Sequence, residues 1–295
     1  MNKQVLCFGE VLWDTLPEGK KPGGAPMNVA MHLRQQGIDA IMASRIGKDE
    51  TGNELIAFLK DNNLYSELIQ IDESLPTCVV TVKLDDQQQA TYTIPYPVSW
   101  DNIQPETNLM ESAKKADVIV FGSLACRDQT TRDTLIEMLK SAALKVFDVN
   151  IRAPHFTLEN LKILGGMADI IKMNAEELDM VAGTELAHLS QKEKISFLSD
   201  YLGCETICIT RGDAGAIALM EGHFFEHPGY KVDVIDTVGA GDAFLATFIA
   251  GLLRNETPEK LLQKACALGA FVASSRGANP HYDDHKITAI SSQSV

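Results

Sequence analysis

Residues 232–253, VDVIDTVGAGDAFLATFIAGLL, concentrate the groups best suited to chemistry. Val232, Val234 and Ile235 lead into Gly239, Ala240 and Gly241, and Phe244, Phe248 and Leu252 then recur at helical spacing. The pattern predicts a strand, a glycine turn and a helix. The first N–H groups of a helix lack intrahelical acceptors, and the helix dipole adds partial positive charge there. Such a turn cradles anions. Asp242 falls in the first helical turn, where the same dipole favours its carboxylate and keeps it ionised near neutral pH. A standing base beside an anion site is what phosphoryl transfer to a hydroxyl needs. An aspartate at a helix start is also an ordinary cap, and that alternative stays open. The dinucleotide turn G-x-G-x-x-G is ruled out, because Phe244 stands where the third glycine belongs, and no GxxxxGK[ST] loop occurs in the chain.

Other polar residues cluster just past apolar runs of strand length. QVLCFG (4–9) reads as a buried first strand, with Asp14 shortly after it. In open α/β sheets ligands gather beyond the carboxyl ends of strands. Asp14 there could accept hydrogen bonds from adjacent sugar hydroxyls, or be a solvated loop residue. In GGAPMN (23–28), Gly23 and Gly24 allow close backbone approach, and Asn28 both donates and accepts. FDVNIR (147–152) ends a strand with Asp148, Asn150 and Arg152; Arg152 could pair with a phosphate, orient a sugar or form a salt bridge. KMNAEEL (172–178) sets Asn174 and Glu177 three apart, nearly a capping box. ITRGDAGA (209–216) brings Thr210, Gly212 and Gly215 together after a strand, and SSRGANP (274–280) turns through Gly277, Asn279 and Pro280.

The elements that must position these residues follow from periodicity. VIVFGS (118–123), KVFDVN (145–150), DIIKMN (169–174) and TICIT (206–210) are buried-strand runs with helical patterns between them, which predicts a mostly parallel sheet with helices on both faces. MNVAMHLRQQG reads as a helix ending near Gly37, and Asp49 as the N-cap of a helix running to Lys60. Residues 68–96 differ: ELIQIDE, TCVVTVKLD and QATYTIPY alternate like antiparallel strands. AIALMEGHFFE predicts a hairpin turning at Glu221–Gly222.

GGxxxN, DxNxR, NxxE, TxGxxG and DTVGAGDAF, in that order, resemble the motifs of the ribokinase-like (PfkB) carbohydrate kinases. The likeness extends over nearly the whole chain. It implies one ribokinase-like α/β domain over 1–295: a doubly wound, mostly parallel sheet flanked by helices. A small antiparallel β lid, formed by about 11–20 and 68–97, is inserted in it. It implies that Asp242 is the catalytic base and that Gly239, Ala240 and Gly241 form the anion hole. Asp14, Gly23, Gly24, Asn28 and Arg152 would bind the sugar; Asn174, Thr210, Gly212, Gly215, Gly277 and Asn279 would line ATP. Glu177 would hold Mg²⁺ through water, and Asp236 would enclose a monovalent cation such as K⁺. GEVLWDTLP and FDVNIR look like bacterial fructokinases, so D-fructose is the expected substrate, with ribose, 2-keto-3-deoxygluconate and nucleosides as rivals. The chain departs from many fructokinases in carrying TYTIPYPVSW in place of an Arg-containing FYR-like segment. Tyr92, Tyr96 and Trp100 there could stack on a ligand or pack a hinge.

With 295 residues, 45% hydrophobic and 22% charged, the chain reads as a soluble globular protein. A net charge of −14 argues against nucleic-acid and anionic-membrane partners. No apolar leader opens the sequence, and the cytoplasm is the expected compartment. Six cysteines without a CxxC pair read as buried free thiols, and the scattered histidines as surface or packing residues. Exposed lid edges suggest a homodimer. Two other classes remain: a sugar- or nucleotide-binding regulator on a kinase fold, which would have no use for the base, and a Rossmann dehydrogenase.

Overall fold

The computed structural model describes residues 3–16, 19–65, 67–84 and 90–292. The apolar runs assemble into a nine-stranded sheet. Its parallel part comprises β1 (Gln4–Phe8), β4 (Asp39–Gly47), β5 (Ile69–Asp72), β8 (Val118–Gly122), β9 (Leu144–Asp148), β10 (Ile170–Asn174) and β11 (Thr206–Thr210). The predicted hairpin, β12 (Ala216–Met220) and β13 (His223–His227), closes one edge antiparallel. Its turn uses positive φ at Glu221 and Gly222, as a type I′ connection needs.

Strands in the middle of this sheet are apolar throughout because helices cover both faces; all five residues of β8 are buried. Alternation along β1 feeds two cores. Leu6 and Phe8 join Phe121, Phe147, Leu135 and Leu161 on one face. Val5 and Cys7 join Leu33, Phe248 and Leu261 on the other. That second face is covered by α1 (Ala25–Gln35), α8 (Ala240–Leu253) and α9 (Pro258–Ala273).

The sheet order is β13-β12-β11-β10-β9-β8-β1-β4-β5. The chain runs outward from β1 in both directions, so β1 lies at the switch point, where an open α/β sheet leaves a crevice at the strands' carboxyl ends. A small sheet of β3 (Gly19–Gly23), β2 (Leu12–Leu16), β6 (Val79–Leu84) and β7 (Ala90–Thr93) rises from the chain that follows β1 and β5. Its outer pairs, β2–β3 and β6–β7, are antiparallel, and β2 meets β6 in parallel register.

Three segments differ from the expectation. Residues 69–72 pair with β4 at the edge of the large sheet and do not join the small one. Residues 19–23 form β3 and carry the small sheet a few residues past the expected 11–20, because the β2 backbone supplies their partners. Val232, Val234 and Ile235 form no strand: the Ile235 and Asp236 N–H groups donate to Ala273 O at the end of α9. Val234 and Ile235 are about three-fifths exposed, 62% and 61%.

Ahead of α3 (Thr107–Lys115), the one aromatic of this segment shown packed inside is Trp100. Trp100 is fully buried, with the Arg127 guanidinium 4.2 Å from its ring centroid, and Arg127 also forms a buried ion pair with Asp101 at 2.7 Å. Tyr96 is exposed and donates to Asp128, and the side chain of Tyr92 lies outside the described residues. All six cysteines are free and buried, as expected. Among the described residues no helix is long and apolar enough to cross a membrane.

Candidate active site

The start of α8 is shaped by one close approach. Its N-cap, Gly239, has φ 80°, and a Cβ there would lie 2.6 Å from Ala278 Cα. Glycine alone meets both conditions. The first intrahelical donor is Ala243 N–H, to Gly239 O at 2.9 Å. Ala240 N–H turns back to Thr237 O at 3.3 Å, so this member of the predicted cradle is already engaged. The N–H groups of Gly239, Gly241 and Asp242 have no acceptor among the described residues.

Asp242 is half-buried beside these donors. Asn28, buried on α1, donates from Nδ2 to Asp242 Oδ2 at 2.8 Å, and its own Oδ1 accepts from Asn279 Nδ2 at 2.7 Å. Burial, then the nearby Asp148 carboxylate, push Asp242 up to about 6; Lys172, the Asn28 bond and Arg152 pull against that. The expectation that the helix dipole governs this group is thus corrected, since burial dominates. The carboxylate is still ionised at pH 7, by roughly ten to one.

Asp14 lies on β2 across from β3, and a Cβ on Gly23 would collide with its Oδ2. Burial pushes Asp14 up to about 6, with Arg152 acting against it. Gly24 has φ 115°, and a Cβ there would strike Glu10 O, so the glycine pair lets β3 turn into α1 over the end of β1. Arg152 is exposed. Among the described residues its guanidinium donates to Ile151 O at 3.1 Å and forms no ion pair. Its charge nevertheless lowers Glu10, Asp14 and Asp242 together. The structure therefore gathers Asp14, Gly23, Gly24, Asn28, Arg152 and Asp242 around one crevice.

A second group lies at the ends of β10 and β11. Asn174 and Thr210 are register neighbours. Asn174 caps α6 (Ala175–Ala182): its Oδ1 accepts from Glu177 N–H at 2.8 Å, and Glu177 Oε2 accepts from Asn174 N–H at 2.9 Å. Glu177 Oε1 accepts from Ile151 N–H at 2.7 Å, so both oxygens of this buried carboxylate hold backbone. The capping-box alternative is what the geometry displays. Gly212 and Gly215 turn the chain with φ 59° and 78°, and a Cβ on Gly215 would strike His227 O and Gly229 N.

Asp236 joins the turn after α9: Oδ1 accepts from Val238 N–H at 3.0 Å and Oδ2 from Gly277 N–H at 3.1 Å. Asn279 sits on that turn too, but its amide reaches Asn28, which ties it to Asp242. His32 pins the same turn to α1. It is fully buried, stacks on Tyr282 and places Nε2 2.9 Å from Ala278 O; burial pushes it down to about 4, so the ring is neutral. Among the described residues no group of three or more His, Cys, Asp or Glu side chains is placed to hold a metal ion.

Two charged groups escaped the sequence reading. Lys172 is buried in β10, its Nζ bonded to both oxygens of Asp148 at 3.0 and 3.2 Å. A lysine inside an otherwise apolar parallel strand was the available signal, since a buried charge demands a partner. Glu10, directly after β1, is buried and pushed up to about 7, first by burial.

A family model described as pfkB family carbohydrate kinase matches residues 9–284. The fructokinase of Salmonella typhimurium is 30% identical over 300 residues, covering 94% of this chain and 95% of that protein. The aminoimidazole riboside kinase of Salmonella enterica, solved with aminoimidazole riboside and an ATP analogue, superposes with TM-score 0.80 at 25% identity, over 98% and 100% of the two chains. The fructokinase of Vibrio cholerae, solved with fructose, ADP and calcium, shares the fold with TM-score 0.85 at 23% identity over 98% of each. The chain belongs to the pfkB family of carbohydrate kinases, on its fructokinase branch, and is a sugar phosphotransferase.

Proposed function

We propose that the protein transfers the γ-phosphoryl group of ATP to the primary hydroxyl of D-fructose, giving fructose 6-phosphate. The observation that supports this most is the hydrogen bond from Asn28 to Asp242 beside the free N–H groups at the start of α8. It sets a base, a hydroxyl-binding amide and an anion site at one point. The fructokinase relatives and the likeness of GEVLWDTLP and FDVNIR to bacterial fructokinases support the sugar.

In this reading Asp242 takes the proton of the hydroxyl as its oxygen forms the new O–P bond. The bond from the γ-phosphorus to ADP breaks, and ADP leaves with the electron pair. Charge on the transferred group is met by the N–H groups of Gly239, Gly241 and Asp242 and by the α8 dipole. Asp14 and Asn28 hold sugar hydroxyls, Gly23 and Gly24 permit the close approach, and Arg152 offsets the carboxylates around them. The Asn174, Thr210, Gly212, Gly215 and Gly277 turns line the nucleotide.

The donor set fits a metal carried on the nucleotide rather than in a protein cage. Both Glu177 oxygens already accept backbone bonds, which leaves that carboxylate to reach Mg²⁺ through water. Mg²⁺ when bound would neutralise phosphate charge. Asp236 and the Gly277 turn form the candidate monovalent-cation site. The small sheet acts as a lid that excludes water, and a homodimer along its edge is the expected assembly.

The test is ADP release with MgATP, with and without K⁺, over fructose, ribose, 2-keto-3-deoxygluconate, aminoimidazole riboside and adenosine. Highest kcat/KM with fructose supports the reading. Aminoimidazole riboside is the second candidate, on the strength of the structural neighbour. A different best substrate removes fructose but leaves the sugar kinase. Binding without turnover would favour a regulator.

A further inference from the structure

Lys172 and Asp148 have no role in the reading above, yet they lie against its centre. They are register partners on β10 and β9, so their side chains leave the sheet side by side. Both are buried, and the ammonium bonds both carboxylate oxygens. The lysine tip also touches the start of α8: a Cβ built on Gly241 would come 3.0 Å from Lys172 Nζ. The ammonium therefore packs under the backbone of the residue preceding Asp242. Burial alone would disfavour its charge, but Asp148, Glu177 and Asp242 outweigh that and hold Lys172 raised.

We propose that the Asp148–Lys172 pair is a positioning pair for the base: two opposed charges beneath Gly241 that hold Asp242 ready to accept a proton. The inference rests on Asp242 being the base and goes beyond it by saying what sets its proton affinity. An isolated buried carboxylate here would hold its proton too tightly, and an isolated ammonium beneath it would make it too weak a base. The pair supplies both influences with no net charge. Asp148 pushes Asp242 up and Lys172 pulls it down, and these are the two largest influences after burial.

The other groups facing Asp242 are few. Asn28 donates from α1, Arg152 lowers it from the loop after β9, and Glu10 lies close enough after β1 for the two carboxyls to repel. Glu177 faces Lys172 from α6. Asp14 feels Arg152 but neither member of the pair among its resolved influences, so its titration is common to all variants.

The two charges act in opposite directions, which separates this role from simple structural support. The readouts are the acid limb of the kcat/KM profile and the titration of the Asp242 carboxyl. The latter is followed by ¹³C NMR as the difference between each protein and its Asp242→Asn counterpart. Lys172→Met is expected to move both upward by about one pH unit, and Asp148→Asn to move both downward by a similar amount. Lys172→Arg, which keeps the charge, should stay near wild type. Should Lys172→Met fail to fold, Asp148→Asn decides alone, since Asn can still accept from the ammonium. Shifts in the same direction, or no shift in Asp148→Asn, overturn the proposal. If Asp242→Asn keeps near-normal kcat, the base assignment fails instead. The NMR titration then still reports whether the pair governs this carboxyl.

Discussion

His32 gives the molecule a pH dependence whose sign and size can be worked out in advance. The ring is fully buried between α1 and the 277–280 turn, and burial lowers it from 6.5 to about 4. Between those values the unfolded chain binds a proton that the folded chain refuses, so stability falls as pH drops through that window. At pH 5.0 the imidazole costs about 2 kcal/mol relative to pH 7.5. Glu10, Asp14 and Asp242 are raised, to about 7, 6 and 6, so their contributions run the other way, gaining stability as pH falls. A comparison of wild type with His32→Phe cancels those terms. Phe keeps a ring against Tyr282 but loses the bond to Ala278 O, so the variant should be less stable at pH 7.5 by about 1 to 3 kcal/mol. By pH 5.0 the gap should narrow by about 2 kcal/mol. Urea unfolding of both proteins at the two pH values measures it. A gap that stays constant would refute the argument, because the ring would then not be held neutral by the fold.

The remaining predictions concern the site and one turn. Asp242→Asn should lower kcat by at least ~10²-fold with KM for the sugar changed far less, read by coupled ADP release; near-normal kcat would remove Asp242 as the base. The wild-type kcat/KM should fall below an acid limb near pH 6, set by Asp242 and Asp14, and a limb near pH 4 would contradict the burial described here. Gly215→Ala forces a side chain into a φ of 78° and onto His227 O and Gly229 N, so thermal unfolding should show a loss of at least ~2 kcal/mol.

Much of this architecture was legible because local and global signals agree. VIVFG, DIIKMN and TICIT are dominated by apolar residues, which suits strands covered on both faces, and the structure makes them β8, β10 and β11. Asp49, Asn174 and Glu221–Gly222 carry their conformations in their own chemistry, as caps and a turn. What misled was periodicity without a partner. Val232, Val234 and Ile235 alternate as a strand does, but the Ile235 and Asp236 N–H groups are taken up by Ala273 O at the end of α9 and not by a strand. The membership of β5 in the large sheet depends on β4, some 25 residues earlier, and no local pattern reports that. At the site, the motif residues came together, but the dominance of burial over the helix dipole at Asp242 is a property of the packed crevice. The partnership of Lys172 with Asp148 likewise needed the register of β9 and β10.

The 277–280 turn carries one more implication. It touches α1 twice, through Asn279 to Asn28 and through Ala278 to His32, and it touches the start of α8 at Gly239. Asn28 in turn holds Asp242. A molecule that draws this turn toward itself therefore tugs on the Asn28 amide, and a ligand that recruits Asn28 loosens its grip on Asn279. On the proposed reading, the sugar and nucleotide sites meet through the Asn28–Asn279 pair. Thermodynamic reciprocity fixes the consequence: by whatever factor the nucleotide changes the affinity for sugar, the sugar changes the affinity for nucleotide by the same factor. Synergy between the substrates, or antagonism, would then be carried by the contacts between α1 and this turn.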